Sequence, residues 1–322
     1  MKLPPDLLRT GVLRIDWSGF SRILECHRKA WHLLCHRREL DGYTAALTYG
    51  SAIHAGLDTW QQHLMRGSTD RPEILTAMEA SAAEVFNGIE VPESEWRTLG
   101  RAKETLGLYA DARWDEDRGF KILETEKYHE RPLGTINPRG LREIQVIWQG
   151  KIDGVWQDPR NGAKIIKDSK TSSKQFELHG PLGGDGRDIV RYRQSGQFQG
   201  YCFLTEGTSA IVDIITGLAP LQRVTAKSAP RNSFDRQVFE WSPEQISEWQ
   251  HRTLHQIEQW LETIALDDPS LLFNTTACAS FSICPYYSAC EQKTEEMRLR
   301  WLSSGRFRDY TWDPSHKNEE TA

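Results

Sequence analysis

GKIDGVWQDPRNGAKIIKDSKTSSK, residues 150 to 174, sets Asp153 beside a glycine, passes through a turn and an apolar run, and ends on Asp168 and Lys170 with one residue between them. Residues 142–158 alternate in the manner of a strand, and DPRNG is a turn by composition. VIWQGKIDGVWQ and AKIIKDSKT therefore read as a hairpin or as neighbouring antiparallel strands. Strand side chains alternate faces, so Asp168 and Lys170 share one, and Asp153 can stand beside them from the preceding strand. Two carboxylates at strand ends suit divalent cations, which take oxygen ligands and can neutralise a phosphate while generating hydroxide near neutral pH. An ammonium two residues on can orient water or steady developing negative charge. The same spacing also fits a strand end closed by salt bridges, and Lys164, Lys167 and Lys174 fit a solvated charge run.

Outward from this stretch the pattern is mostly helical. WSGFSRILECHRKAWHLLCHR places Phe20, Ile23, Leu24, Trp31 and Leu34 at roughly helical intervals, with Ser18 as N-cap and a break near Cys26. Residues 48–65 set Ile53, Leu57, Trp60 and Leu64 on one helix face, and 72–117 continue helical with breaks around Gly88 to Pro92. A helical insertion over about 60–118 is the expectation. FKILETEKYHERPL, residues 120–133, fits short strands. Residues 192–206 predict a helix, SAIVDIITGLA a strand, and 242–266 an amphipathic helix with a proline near its start. GPLGGDGRD (180–188) reads as a flexible loop, NTTACASFSICPYYSAC as loop-like, and 311–322 as a disordered tail.

The chain has 322 residues, 38% hydrophobic and 26% charged, as expected for a soluble globular protein and not for a disordered one. No segment approaches the roughly 18 to 20 apolar residues of a membrane span, and MKLPPDLLRTGVLRID has no signal-peptide core. The expectation is a cytoplasmic protein with no membrane partner. A net charge of −5 argues against a simple nucleic-acid coating protein but says little about a local groove. The basic clusters at 27–39 and 187–193 fit phosphate contacts and solvated helix faces equally. Six cysteines without a secretory signal point to metal binding in preference to a disulfide framework.

GKIDGVW followed by IIKDSKTS resembles the core of the P-D-(D/E)-x-K nuclease superfamily in its RecB-like branch, where a G-x-x-D strand precedes an apolar strand ending D-x-K. QFQGY supplies Gln197 and Tyr201 at the Q-x-x-x-Y spacing of that branch, and GSAIHAGLDTW supplies His54 in a helix ahead of the core. The resemblance runs discontinuously from about residue 18 to 292, and its weight lies in the joint order of these pieces. It implies an α/β fold: one domain over 1–310 with a restriction-endonuclease-like core at about 120–240, a mixed central sheet flanked by helices, and a C-terminal helix and cysteine region at 242–292. By resemblance Asp153 and Asp168 are carboxylate ligands of Mg2+ or Mn2+, and the Ser169 carbonyl is a further ligand. His54 is a nitrogen ligand favouring manganese. Lys170 is the catalytic lysine, and Gln197 and Tyr201, four apart on one helix face, contact DNA. Glu126 matches a glutamate on the strand before the core, with Glu124 an equal competitor. The implied activity is metal-dependent DNA hydrolysis by in-line attack of water, exonucleolytic on single strands or ends, in a prokaryotic or viral recombination or repair setting.

CASFSICPYYSAC spaces Cys278, Cys284 and Cys290 six apart, whereas a tetrahedral thiolate site or a four-iron cluster normally takes four ligands. This resembles the iron-sulfur nucleases of the same branch, the AddB, exonuclease V and CRISPR adaptation types, where an N-terminal cysteine joins three near the C-terminus. The resemblance implies Cys26 as fourth ligand of a structural 4Fe-4S cluster, with zinc the rival and Cys35 the alternative ligand. The family spacing is C-x2-C-x5-C and this chain has C-x5-C-x5-C, which puts Cys278 in question. Cys202, within YCFL, reads as a buried small hydrophobe. Two other classes remain: a non-catalytic DNA-binding or assembly subunit, expected to show a broken metal triad, and an iron-sulfur electron carrier, which leaves D-x-K and Q-x-x-x-Y unexplained.

Overall fold

The computed structural model describes residues 3–41, 45–172, 186–216, 233–266, 278 and 283–310. In chain order the helices are α1 (Pro5–Thr10), α2 (Trp17–Glu25), α3 (His27–Ala30), α4 (Ala45–Met65), α5 (Arg71–Phe86), α6 (Leu99–Asp117), α7 (Arg187–Arg193), α8 (Gly196–Thr205), α9 (Pro243–Ala265), α10 (Tyr287–Cys290) and α11 (Glu295–Leu302). The strands are β1 (Val12–Ile15), β2 (Arg38–Leu40), β3 (Lys121–Ile136), β4 (Ile144–Gln157), β5 (Lys164–Ser172), β6 (Ser209–Thr216), β7 (Ser233–Glu240) and β8 (Phe307–Asp309). The predicted tail at 311–322 and most of the predicted loop at 180–188 lie outside the described residues.

Local chemistry sets several of these boundaries. The N-cap of α2 is Asp16, not Ser18, because the Asp16 carboxylate accepts the Gly19 N–H at 2.8 Å. The helix ends where Cys26 turns extended, and the chain restarts as α3 and a π-helical turn, Trp31–Cys35. In the predicted helical stretch, Asp70 caps α5 and Thr98 caps α6. The short strands expected near 120–133 are instead one strand of 16 residues, β3. The irregularity there is a single left-handed residue, Glu126 at φ 45°, which deforms the strand without ending it.

The chain forms two compact units, residues 1–42, 128–150 and 244–322 in one and 43–127 and 151–243 in the other. In the first, β1 runs parallel to Gln145 through Trp148 of β4, and β2 pairs antiparallel with β8. Trp148 is buried edge-on against both Phe20 and Trp249. The amphipathic pattern of α9 buries Trp249, Thr253, Ile257, Trp260, Leu261 and Ile264.

In the second unit β4 to β7 form a mixed sheet, antiparallel between β4 and β5, parallel between β5 and β6, antiparallel between β6 and β7. Every residue of β6 is buried, which explains the near-continuous apolar run of its sequence. One face of the sheet, with Ile215 and Phe234, packs on the apolar sides of α4, α5 and α6. On the opposite face Phe239 stacks on Phe198 of α8. The expected mixed α/β architecture, a mixed central sheet flanked by helices, is what the chain adopts. Among the described residues no helix is long and apolar enough to cross a membrane.

Candidate active site

Strand β5 carries charge on both faces. Asp168 and Lys170 share one, as the period of two requires. Lys170 Nζ lies 2.8 Å from Asp168 Oδ2 and donates a hydrogen bond to Oδ1 at 3.0 Å. It also stands 5.9 Å from the ring centre of Phe198. Lys167, which the sequence left as a member of a solvated charge run, is instead fully buried on the other face.

The β4–β5 register, Gly154 opposite Lys167, brings Asp153 alongside. Asp153 Oδ2 accepts the Ser169 N–H at 3.0 Å and lies 3.2 Å from Nδ1 of His54 on α4. Gly154 is a glycine for a local reason: a Cβ there would stand 2.1 Å from Gln61 Oε1. The Gln61 amide fills that space, donating to the Asp153 carbonyl at 3.2 Å and accepting from Trp156 Nε1 at 2.8 Å. Helix α4 therefore holds both the carboxylate of Asp153, through His54, and its main chain, through Gln61.

Glu126 completes the cluster from β3. One ligand atom from each of His54, Glu126 and Asp153 lies within 4.8 Å of the other two. Glu126 also pairs with Lys151 at 2.5 Å, while Glu124 turns to Lys127 at 2.6 Å. Of the two competing glutamates it is thus Glu126 that reaches the site. Its left-handed backbone costs on the order of 1–3 kcal/mol, strain of the kind that gathers at functional sites. Lys151 had no signal in the sequence beyond being a lysine on a strand. On α8, Gln197 Nε2 donates to the Tyr201 hydroxyl at 3.0 Å, the side-by-side arrangement expected of residues four apart.

The electrostatics pull the carboxyls apart. Burial pushes Asp153 upward, but His54, Lys170 and the Ser169 N–H outweigh it and hold the group well below the usual carboxylate range. Asp168 moves the other way: burial and the negative charge of Asp153 raise it against the pull of Lys170. Glu126 is likewise raised, by burial and by Asp153, with Lys151 opposing. Burial would discharge Lys170, yet Asp168 and Asp153 keep it firmly protonated. Burial would also discharge His54, and Asp153 raises it instead. Burial and Asp168 raise Tyr201, leaving its phenol a donor at neutral pH.

This donor set fits a divalent cation. Glu126, Asp153 and His54 bring ligand atoms within 4.8 Å of one another, next to buried Asp168. Carboxylate oxygens crowded with one imidazole suit Mg2+ or Mn2+.

The cysteines converge elsewhere. Cys26, Cys278, Cys284 and Cys290 line one cavity with Lys29, Tyr286 and Tyr287, and no disulfide joins them. The Cys284 N–H donates to the Cys278 carbonyl at 2.8 Å, and Cys290 Sγ lies 3.6 Å from Nε2 of buried His32. Burial pushes the Cys290 thiol up to about 12, against the pull of Arg28. Cys35 is buried and is not among the residues lining that cavity. Cys202 is buried on α8, where its thiol faces the Ser209 carbonyl at 3.8 Å.

A family model described as the PD-(D/E)XK nuclease superfamily matches residues 17–291. No curated protein matches the chain. Among solved structures, the protein SSO0001 is 14% identical over 83% of this chain and 94% of its own, with a TM-score of 0.30. A phage-related exonuclease from Haemophilus somnus 129PT is 14% identical over 62% of this chain and 84% of its own, TM-score 0.32. LHK-Exo, in complex with dAMP, is 12% identical over 69% of this chain and 93% of its own, TM-score 0.28. Likeness of this degree says nothing about substrate.

Proposed function

The chain belongs to the PD-(D/E)XK nuclease superfamily, and we propose that it hydrolyses phosphodiester bonds of DNA, exonucleolytically on single strands or ends, at the cluster of His54, Glu126, Asp153, Asp168 and Lys170. The observation that carries this reading is the convergence of Asp153, Asp168 and Lys170 on adjacent strands with His54 reaching in from α4. Asp153, Asp168, Glu126, His54 and the Ser169 carbonyl would hold Mg2+ or Mn2+. Such an ion supplies charge neutralisation at the phosphate and acidifies an attacking water. Lys170, kept protonated by its two aspartates, adds a fixed positive charge where negative charge develops. Gln197 and Tyr201 offer an amide and a phenol to orient the strand.

The proposal includes a structural 4Fe-4S cluster on Cys26, Cys278, Cys284 and Cys290, joining the N-terminal and C-terminal segments that carry them. Their sharing of one cavity without a disulfide supports it.

The test is cleavage of end-labelled single-stranded and double-stranded DNA by anaerobically purified protein with Mn2+ or Mg2+, beside Asp168→Ala. Metal-dependent cleavage lost in the variant supports the reading. A protein with its cluster intact that cuts neither DNA in either metal overturns it.

A further inference from the structure

The second charged face of β5 plays no part in the reading above. Lys167 and Asp213 are 2% and 1% exposed, with Nζ 3.1 Å from Asp213 Oδ2. The same ammonium donates to Ser169 Oγ at 3.0 Å and to the Asp168 carbonyl at 3.3 Å. Behind it, Asp213 is the register partner of Ser169 on β6, and Arg236 is the register partner of Asp213 on β7. Arg236 grips both oxygens of Asp213, Nε to Oδ1 at 2.6 Å and Nη2 to Oδ2 at 2.7 Å. It also reaches Asp117 Oδ1 at 2.7 Å, while the Tyr109 hydroxyl donates to Asp213 at 2.7 Å.

Burying an ammonium is costly and is tolerated only where its bonds are satisfied. Lys167 shares the neutralising of Asp213 with Arg236, whose charge also serves Asp117 and Glu116. Beyond that charge, Lys167 holds residues 168 and 169. The peptide unit concerned is shared: its carbonyl, from Asp168, accepts the Lys167 ammonium, and its N–H, from Ser169, donates to Asp153 Oδ2. A positive charge on the carbonyl polarises the peptide and strengthens its N–H as a donor. One peptide thus ties the buried charge network to both aspartates of the active-site face.

We propose that Lys167 is a positioning residue of the nuclease: through the Asp168–Ser169 peptide it fixes the relative placement of the Asp153 and Asp168 carboxylates. The proposal rests on the reading of those two aspartates as metal ligands. Removing Lys167 leaves every ligand in place and loosens the geometry between them.

The experiment compares wild type with Lys167→Met, which keeps the length of the side chain without its charge, and with Lys167→Met/Asp213→Asn, which leaves Arg236 matched by Asp117. Mn2+ affinity is measured by calorimetry on metal-free protein without DNA, alongside melting temperature and the steady-state constants for DNA cleavage. The expected result is Mn2+ binding weakened about 10- to 100-fold, the range for residues that support metal ligands, with kcat reduced and KM for DNA nearly unchanged. The double variant stays weak in Mn2+ binding even where its melting temperature recovers. A merely structural role would lower the melting temperature and leave the affinity of the folded protein alone, and that outcome overturns the proposal. So does failure of both variants to fold, since positioning presupposes a fold that survives without the charge. Wild type that neither binds Mn2+ nor cleaves DNA removes the nuclease reading itself. Wild type that does both, matched by Lys167→Met, removes only the role of Lys167.

Discussion

Gly154 and Gln61, far apart in sequence, occupy one another's space, and their coupling can be measured. In Gln61→Ala the buried Trp156 Nε1 loses its acceptor and the Asp153 carbonyl its donor. Leaving a buried donor such as this unsatisfied costs about 1–3 kcal/mol. In Gly154→Ala the new Cβ would fall 2.1 Å from Gln61 Oε1 and 3.1 Å from Trp156 Nε1. Gln61 must swing away, so the same two hydrogen bonds are lost, with a packing penalty of about 1–3 kcal/mol if the surroundings do not yield. Gln61→Ala should therefore destabilise by about 1–3 kcal/mol, and Gly154→Ala by about 1–6 kcal/mol. In the double variant the bonds are lost once and the methyl enters space the amide has vacated. Its cost should fall short of the sum of the singles by about 1–3 kcal/mol. Urea unfolding of the four proteins closes the cycle, with the denaturant slope checked for constancy. Additivity within about 0.5 kcal/mol, the behaviour of independent sites, would refute the claim that this amide is what excludes a side chain at 154.

Three further outcomes follow from the charges and the thiols. Burial works to raise Asp213, but Lys167 and Arg236 outweigh it and hold the group far below an ordinary aspartate, so its stabilising contribution is complete above about pH 4 and fades as acid approaches its folded value. Unfolding curves of wild type and Asp213→Asn should run parallel between about pH 5 and 7 and converge below about pH 4; a gap that widens in acid would contradict this sign. Lys170→Met should lower kcat for DNA cleavage about 10²- to 10³-fold, the usual cost of one electrostatic donor, with DNA binding by fluorescence anisotropy retained, and unaltered cleavage would exclude it from catalysis. Cys284→Ser should purify without stoichiometric iron and melt at lower temperature than wild type, as iron determination and calorimetry will show; full iron content would remove Cys284 from the ligand set.

Some of this molecule was legible in the linear order of its residues because the physics concerned is local. The period of two sets Asp168 and Lys170 on one side of β5, and the period of 3.6 sets Gln197 beside Tyr201 and gives α9 its apolar face. Turn chemistry at DPRNG predicted the antiparallel neighbours β4 and β5. Where several residues could satisfy one local rule, the folded chain made the choice. At the start of α2 the choice stayed local: Ser18 and Asp16 are both sound caps, and it is the Asp16 carboxylate that takes the Gly19 N–H. Glu124 and Glu126 are both glutamates on β3, and it is Glu126, with its backbone at φ 45°, that stands with His54 and Asp153. Lys167 looks in sequence like one more solvated lysine. Its burial depends on Asp213 and Arg236 arriving from β6 and β7, because desolvating an ammonium is tolerable only once carboxylates far along the chain have been folded around it. Gly154 carries no assignment in the sequence, and the reason for it is a Gln61 amide from α4, a contact that exists only after the sheet and helix have packed.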